Sequence, residues 1–203
     1  MCARYEVEDA AASIAEELDA TLRGEVAART TIAPTDVAPA LIATDAGRLL
    51  LPMKFGWPAT RPKERIHLNT RSESAARDGD SADALRSRRC LLPAHAFHEW
   101  SGPKGARHHH LFAPDGVGRL ITMAGLYLPD PSGGPSRFVI LTTAASRDVR
   151  AVHHRMPLIV PPELRTRWIT VSDDDPAELV AHVRRSDAPR MLDRERPDEL
   201  ARE

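Results

Sequence analysis

The sequence lacks an apolar run near the roughly 20 residues that a membrane-spanning helix needs. Its first ten residues carry acidic side chains where a signal peptide would be apolar. These absences predict a cytoplasmic protein that does not enter a membrane. Cysteine is also scarce, with Cys2 and Cys90 as the only two. A disulfide between them is not expected in a reducing compartment, and Cys90, next to two leucines, is predicted to be a buried strand residue.

The chain has no excess of charge of either sign, because its formal net charge is −1. It therefore lacks the overall basic composition that indicates a nucleic-acid-binding protein. The charge is unevenly distributed, however, and the stretch from Lys54 to Arg107 holds 11 Lys or Arg against 6 Asp or Glu, a net of +5. A basic middle segment can bind phosphates in a neutral chain, although an ordinary solvated surface has a similar composition.

Proline outnumbers glycine, 17 to 11, which favours strands interrupted by stiff loops over a helical bundle. Apolar periodicity predicts helices at 8–22, 74–87, 144–152, 162–168 and 175–185, and strands at 38–44, 49–55, 66–69, 89–100, 107–113, 118–128, 137–143 and 153–160. The predicted fold is α+β, a single domain over residues 1–185 with antiparallel strands curled into a barrel-like or sandwich-like core and flanking helices. Residues 186–203, rich in Arg, Asp and Glu, are predicted to be a loosely ordered tail.

Cys2 raises a chemical question because it follows the initiator Met1. It is either an accidental cysteine on a frayed terminus or, once Met1 is removed, a residue that joins a thiol to an α-amine. Such an amine has a pKa of about 7.7–8, so a substantial fraction is a neutral nucleophile near neutral pH. The 1,2-aminothiol adds to an aldehyde as a Schiff base and then closes to a thiazolidine. Alternatively, the amine serves as the base for its own thiol, as in N-terminal-nucleophile hydrolases.

Three other stretches contain candidate functional residues. LNTRSE ends a strand with Asn69, which is both donor and acceptor, and Arg71, whose guanidinium matches a phosphate. In FHEW, strand alternation puts Glu99 on an apolar face, where a carboxyl group gains a raised pKa and a proton-transfer role. HHRMP supplies His153, an acid or base near neutrality. No metal or other cofactor is expected, since HAFHE lacks the helical H-E-x-x-H arrangement of zinc ligands.

Eight motifs in order, MCARY, IAPT, LNTRSE, RSRRCLLPA, FHEW, AGLY, ILTTAA and HHRMP, resemble those of the SRAP family, the SOS-response-associated peptidases or abasic-site processing proteins. The resemblance runs from residue 1 to about residue 170. It implies a DNA-repair enzyme, with peptidase and lyase-like activities, that covalently captures the aldehyde of abasic sites in single-stranded DNA. It implies that Cys2 forms the cross-link after removal of Met1, that Asn69 orients the terminus and the sugar, and that Glu99 and His153 transfer protons.

The same resemblance implies DNA contacts: Arg4 and Arg71 with phosphates, and Trp57 and Trp100 with bases. A cross-linker that threads a strand is expected to act as a monomer. The chain departs from the family pattern at Ala3, where glycine is usual, and at His154, where aspartate is usual. Two other functions fit parts of the pattern: a glutamine amidotransferase-like N-terminal-nucleophile hydrolase, and a non-catalytic single-stranded DNA-binding module in which Cys2 is inert.

Overall fold

A computed structural model of the chain describes residues 2–27, 29–59, 65–103, 105–116, 118–172 and 174–194. The strands in these ranges are β1 Tyr5–Glu6, β2 Thr21–Leu22, β3 Thr31–Ile32, β4 Val37–Thr44, β5 Gly47–Phe55, β6 Asn69–Arg71, β7 Arg89–Ala94, β8 Ala96–Ser101, β9 His108–Pro114, β10 Ile121–Leu128, β11 Arg137–Ala144, β12 Arg155–Pro157 and β13 Met191–Asp193. The helices are α1 Ala11–Glu17, α2 Gly79–Ser87, α3 Arg147–Arg150, α4 Arg165–Ile169 and α5 Pro176–Arg185, with one 3-10 turn at Pro162–Leu164.

Two sheets form the core. The smaller has the order β13-β9-β8-β1-β3, with every neighbouring pair antiparallel. The larger has the order β12-β11-β10-β7-β4-β5-β2. In addition β5 pairs with β11, so the path β5-β4-β7-β10-β11 closes on itself. This arrangement confirms the predicted α+β fold.

Apolar side chains hold the closing strands together. Phe55 of β5 and Phe138 of β11 are fully buried, and their rings stack with centroids 5.0 Å apart. The edge of the Tyr5 ring packs against Phe55 at 6.1 Å, which ties β1 of the smaller sheet to the interior of the larger one. Each such aromatic contact stabilises the fold beyond its buried area.

Three differences from the sequence predictions concern the first helix, the strand directions and the predicted tail. The first helix covers only Ala11–Glu17, because Asp19 adopts a left-handed φ of 51° and Thr21–Leu22 then pairs with β5. Three pairings, β2 with β5, β5 with β11 and β6 with β11, are parallel, so the larger sheet is mixed. Within the predicted tail, Met191–Asp193 forms a strand along β9, while 195–203 lies outside the described residues.

Some sequence predictions are confirmed in detail. Residues 89–100 form two strands, which meet at His95 rather than at Pro93. Cys90 is fully buried in β7, as expected. The last helix begins at Pro176. Asp175 caps its N-terminus, because the Asp175 side chain accepts a hydrogen bond from the Ala177 N–H at 2.9 Å. Among the described residues, no helix has the length and apolar character to cross a membrane.

The packing between β7 and β10 can be tested by a substitution at Gly125 of β10. This glycine is paired with Cys90, and a Cβ at this position would lie 2.7 Å from Cys90 Sγ and 3.0 Å from Leu92 Cδ1. We expect Gly125→Ala to lower the free energy of unfolding by about 1–3 kcal/mol through overpacking, as measured by urea denaturation. Adding Cys90→Ala should recover part of that loss.

The control is Gly134→Ala, where the new Cβ would lie 3.4 Å from Asp130 Oδ2, an ordinary contact. Its stability should stay within about 0.5 kcal/mol of the parent chain. Equal stabilities of the two alanine variants would contradict the packing described for β7 and β10.

Candidate active site

The segment ahead of β1 continues along β8, and this brings Cys2 into the protein interior. The His98 N–H donates to the Arg4 carbonyl at 3.0 Å, extending the β1–β8 ladder toward the N-terminus. Cys2 is fully buried, and its thiol donates to the Arg4 carbonyl at 3.6 Å. Burial first, and the Glu99 carboxylate second, raise the pKa of this thiol well above its usual range. The sulfur is therefore a neutral S–H near neutral pH.

Glu99 of β8 meets His153, which lies just ahead of β12. The Nδ1 atom of His153 is 3.9 Å from Glu99 Oε1, and the two side chains are 17% and 2% exposed. Burial raises the pKa of Glu99, and the interaction with His153 opposes part of that rise. A carboxyl group with a raised pKa is suited to donate a proton and take it back close to neutral pH. Because Glu99 also acts on the Cys2 thiol, these three residues form one cluster.

Asn69 enters this region from the larger sheet. It begins β6, which pairs in parallel with β11. Together with Ala3 and residues 65–68 it lines a groove of about 550 Å³. The Asn69 Oδ1 atom is buried and has no hydrogen-bond partner among the described residues. An N–H donor next to this oxygen would remove the cost of an unpaired buried acceptor. Asn69 therefore lines a groove together with Ala3, the residue that follows Cys2.

Arg155 and Glu73 hold the His153 segment in place. The Arg155 guanidinium donates two hydrogen bonds of 2.8 Å to the two Glu73 carboxylate oxygens and one of 2.6 Å to the Thr142 carbonyl. His153 Nδ1 lies 2.9 Å from the Arg155 carbonyl oxygen and 3.0 Å from the Arg155 backbone nitrogen, and these contacts fix the orientation of that ring. The hydrogen bonds from the Arg155 guanidinium, and then its charge, lower the pKa of the Glu73 carboxyl group to about 2. The sequence analysis missed this clamp, because its two residues are 82 positions apart.

Arg4 and Trp100 lie together on the face of β8 opposite to Glu99. The Arg4 Cζ atom is 5.7 Å from the centroid of the Trp100 ring, and the His98 ring stacks on Trp100 at 6.1 Å. Arg4 is exposed and Trp100 is half-buried. A cation beside an aromatic face is an arrangement that suits a phosphate and a stacked base.

Arg71 is exposed at the end of β6, two residues after Asn69. Near it lies His154, an exposed residue whose ring stacks on His153 at 4.6 Å. Local desolvation, then the neighbouring His153 and Arg155, lower the pKa of His154, and Arg71 adds to this effect. The edge of the site beside Asn69 therefore carries a concentration of basic side chains.

Trp57 occupies a different environment from the other predicted DNA contacts. It is 5% exposed, and its indole N–H donates to the Arg137 carbonyl at 2.9 Å. Its backbone pairs with that of His67 in an isolated bridge. A stacking role for Trp57 gains no support from this position, because the ring is enclosed by protein.

The histidines of HAFHE have separate partners. His95 accepts a hydrogen bond from the Glu8 N–H at 3.0 Å, while His98 Nδ1 is 2.6 Å from His109 Nε2 and His98 Nε2 is 3.5 Å from Glu6 Oε1. Across the part of the chain that the structure describes, no three His, Cys, Asp or Glu side chains are placed to hold a metal ion.

Comparison with known proteins identifies a matching protein family. The model of the family described as SOS response associated peptidase (SRAP) matches residues 1–194. Abasic site processing protein YoqW of Bacillus subtilis is 28% identical over 127 residues, covering 61% of this chain and 57% of YoqW. Abasic site processing protein HMCES of Gallus gallus is 25% identical over 172 residues, covering 70% and 51%. The chain thus spans little more than half the length of these two relatives.

Abasic site processing protein YoaM of Bacillus subtilis is matched more fully, at 25% identity over 189 residues, with 88% of this chain and 83% of YoaM covered. Two solved structures share the fold. A protein from Bacteroides thetaiotaomicron has a TM-score of 0.74 at 17% identity, covering 88% of this chain and 86% of that one. A phage-related protein from Bordetella bronchiseptica has a TM-score of 0.71 at 20% identity, covering 96% and 95%.

The clamp between Glu73 and Arg155 predicts a pH-dependent stability. Because the pKa of Glu73 falls from 4.5 to about 2 on folding, its contribution is present above pH 4.5 and is lost as the pH falls toward 2. At neutral pH, Glu73→Gln should lower the free energy of unfolding by about 1–2 kcal/mol. The difference from the parent chain should shrink through this acidic window, as followed by urea denaturation at several pH values.

Asp83→Asn is the matched control, because Asp83 pairs with Arg86 at 2.9 Å with both side chains more than half exposed. Its effect should be small at every pH. A stability difference for Glu73→Gln that is the same at neutral and strongly acidic pH would contradict the role assigned to the clamp.

Proposed function

The chain belongs to the SOS response associated peptidase (SRAP) family, and on this premise we propose that it processes abasic sites in single-stranded DNA by covalent capture through Cys2. The observation that carries the proposal is the cluster of Cys2, Glu99 and His153, next to a groove that Ala3 and Asn69 line together. The printed names of its relatives, abasic site processing proteins, support the same substrate.

The first step requires the α-amine of Cys2. Removal of Met1, by the protein itself or by an aminopeptidase, generates this amine next to the thiol. The amine adds to the C1′ aldehyde of the ring-opened sugar, and the carbinolamine loses water to give an imine. Glu99 supplies the proton that the departing hydroxyl needs, since burial raises the pKa of its carboxyl group. Asn69 Oδ1 accepts a hydrogen bond from the amine and orients it.

The second step closes the ring. The neutral Cys2 thiol adds across the imine, its sulfur bonding to C1′ while its proton passes through the Glu99 carboxylate to the former imine nitrogen. The product is a thiazolidine, and the net change is aldehyde plus aminothiol to thiazolidine plus water. His153 stabilises the Glu99 carboxylate while it lacks its proton, at the 3.9 Å separation seen here. Reversal of the two steps would release the DNA, whereas β-elimination from the imine would expel the 3′ phosphate and leave the sugar bound to the protein until water hydrolyses the imine.

DNA binding is assigned to the basic and aromatic side chains around the cluster. Arg71 contacts a phosphate beside Asn69, while Arg4 and Trp100 hold the strand on the other side of β8. A single strand suits this arrangement because its bases are free to stack on an aromatic face. We infer a monomer that acts in the cytoplasm, associated with the nucleoid when it is bound to damaged DNA.

The cross-link gives the direct test of this function. Protein whose N-terminus is Cys2 should form an adduct with an abasic single-stranded oligonucleotide that survives heating in SDS. Cys2→Ala should abolish the adduct, whereas Cys90→Ala, which alters the other buried cysteine, should retain it. Absence of adduct from the parent protein would contradict the proposal, and equal binding of intact and abasic strands would then favour a non-catalytic DNA-binding module.

The proton-transfer role of Glu99 is tested by rate. Glu99→Gln should slow adduct formation by about 10²-fold or more, the usual contribution of a positioned acid or base, with little change in DNA affinity. Arg71→Ala should do the reverse, weakening binding and reducing the salt dependence of the affinity by about one phosphate contact. A Glu99→Gln variant that cross-links at the parent rate would rule out this role.

A further inference from the structure

A hydrogen-bonded series of Ser101, His110 and Asp193 lies outside the cluster described above. Ser101 Oγ is 2.7 Å from His110 Nε2, and His110 Nδ1 is 2.8 Å from Asp193 Oδ2. The three residues come from three strands of the smaller sheet, Ser101 at the end of β8, His110 in β9 and Asp193 at the end of β13. Neither the family match nor the site residues derived from the sequence assign them a role.

The carboxylate sets the roles of the other two groups. Asp193 only accepts hydrogen bonds when ionised, so Nδ1 of a neutral His110 carries the ring proton and donates it to Asp193. Nε2 is then an acceptor, and the hydrogen in the bond to Ser101 belongs to the serine hydroxyl. A serine that donates to an imidazole, itself oriented by a carboxylate, is the arrangement that activates a hydroxyl as a nucleophile.

The sheet register fixes this arrangement. Ser101 is paired with His108 and Asp193 with Phe112, so each is a diagonal neighbour of His110 on the same face of the sheet. The three side chains therefore project from paired backbone, which holds a site more firmly than a loop does. The contact of Asp193 with His110 also helps to explain why Met191–Asp193, within the predicted tail, is an ordered strand paired with β9.

The surroundings of Ser101 suit a nucleophile. The chain turns directly after it, at Gly102 with a φ of +86°, where a Cβ would lie 2.6 Å from the Ala106 carbonyl oxygen. Ser101 thus ends its strand directly before a sharp turn, whereas in the nucleophile elbow of hydrolases the serine itself occupies the turn. The His110 and Asp193 side chains are 12% and 34% exposed, and Ser101 is partly exposed. The imidazole is sheltered, but the series opens to solvent.

We propose that Ser101, His110 and Asp193 form a second active site that transfers acyl groups from small activated esters. Ser101 Oγ attacks the ester carbonyl while its proton passes to His110 Nε2. The proton then goes to the leaving alkoxide, which departs as an alcohol and leaves an acyl-serine. Water, deprotonated by the same imidazole, hydrolyses the acyl-serine and restores the hydroxyl. The three residues are distinct from those assigned to the abasic-site chemistry, although His110 is the cross-strand partner of Glu99 in the pairing of β8 with β9.

Fluorophosphonate labelling of the full chain tests the proposal, with the labelled residue located by peptide mapping. We expect label on Ser101, none at that position in Ser101→Ala, and a rate reduced on the order of 10²-fold or more in Asp193→Asn, where the carboxylate is lost. The rate of p-nitrophenyl acetate hydrolysis should also be lower in Asp193→Asn than in the parent protein, and lower still in Ser101→Ala. Thermal unfolding of each variant shows whether the fold is retained.

Ser132→Ala is the matched control, because the Ser132 hydroxyl donates to Asp130 at 2.6 Å without a histidine between them. Labelling and ester hydrolysis should be unchanged in this variant. Failure of the folded parent protein to label at Ser101 would overturn the proposal. An Asp193→Asn variant that folds and labels as fast as the parent protein would overturn it as well.

Discussion

The pairing of the N-terminal segment with β8 is the interaction on which the candidate site depends. It includes two residue pairs of β1 and two further backbone hydrogen bonds, from the His98 N–H to the Arg4 carbonyl and from the His95 N–H to the Glu6 carbonyl. The Tyr5 ring, packed against Phe55 in the larger sheet, anchors this short strand. A chain terminus is usually frayed unless it is held in a sheet. Here the sheet holds Cys2 in the interior, where Glu99 acts on its thiol. The environment of Cys2 therefore depends on the pairing of β1 with β8.

The pKa values of the groups in the cluster and of the carboxylate that supports it are shifted in opposite directions. Burial raises the pKa of Glu99, which brings the titration of that carboxyl group closer to neutral pH, and it raises the pKa of the Cys2 thiol, which keeps that group protonated. Glu73, by contrast, stays ionised because the Arg155 guanidinium meets both of its oxygens. In the proposed mechanism the cluster reacts, whereas Glu73 and Arg155 hold the His153 segment in place. The two roles follow from how each carboxylate is solvated and paired.

Much of this fold and site was predictable from the sequence. Strand alternation put Glu99 and Trp100 on opposite faces, and the structure has the Trp100 ring against His98 and Glu99 near His153. Local periodicity also located most strands. The parallel pairings of β2, β5, β6 and β11 were not predictable, because they join segments distant in sequence and leave no local pattern.

The same limit explains the missed partners. Glu73 and Arg155 are 82 residues apart, and the nearer Arg71 is a plausible partner until the backbone path is known. Trp57 was interpreted from its motif, whereas its burial depends on a bridge to His67 that only the fold creates. The strand at Met191–Asp193 was hidden by charged composition, since its stability comes from pairing with β9 and from the Asp193 contact with His110.

The most direct test of the central claim is the intact mass of the protein before and after incubation with a single-stranded oligonucleotide that contains one abasic site. Capture through Cys2 predicts a starting mass without Met1 and an adduct equal to protein plus oligonucleotide less one water. Borohydride should leave the adduct mass unchanged, because a thiazolidine has no C=N bond to reduce. An adduct that retains Met1, or one whose mass rises by two hydrogens on reduction, would contradict the account.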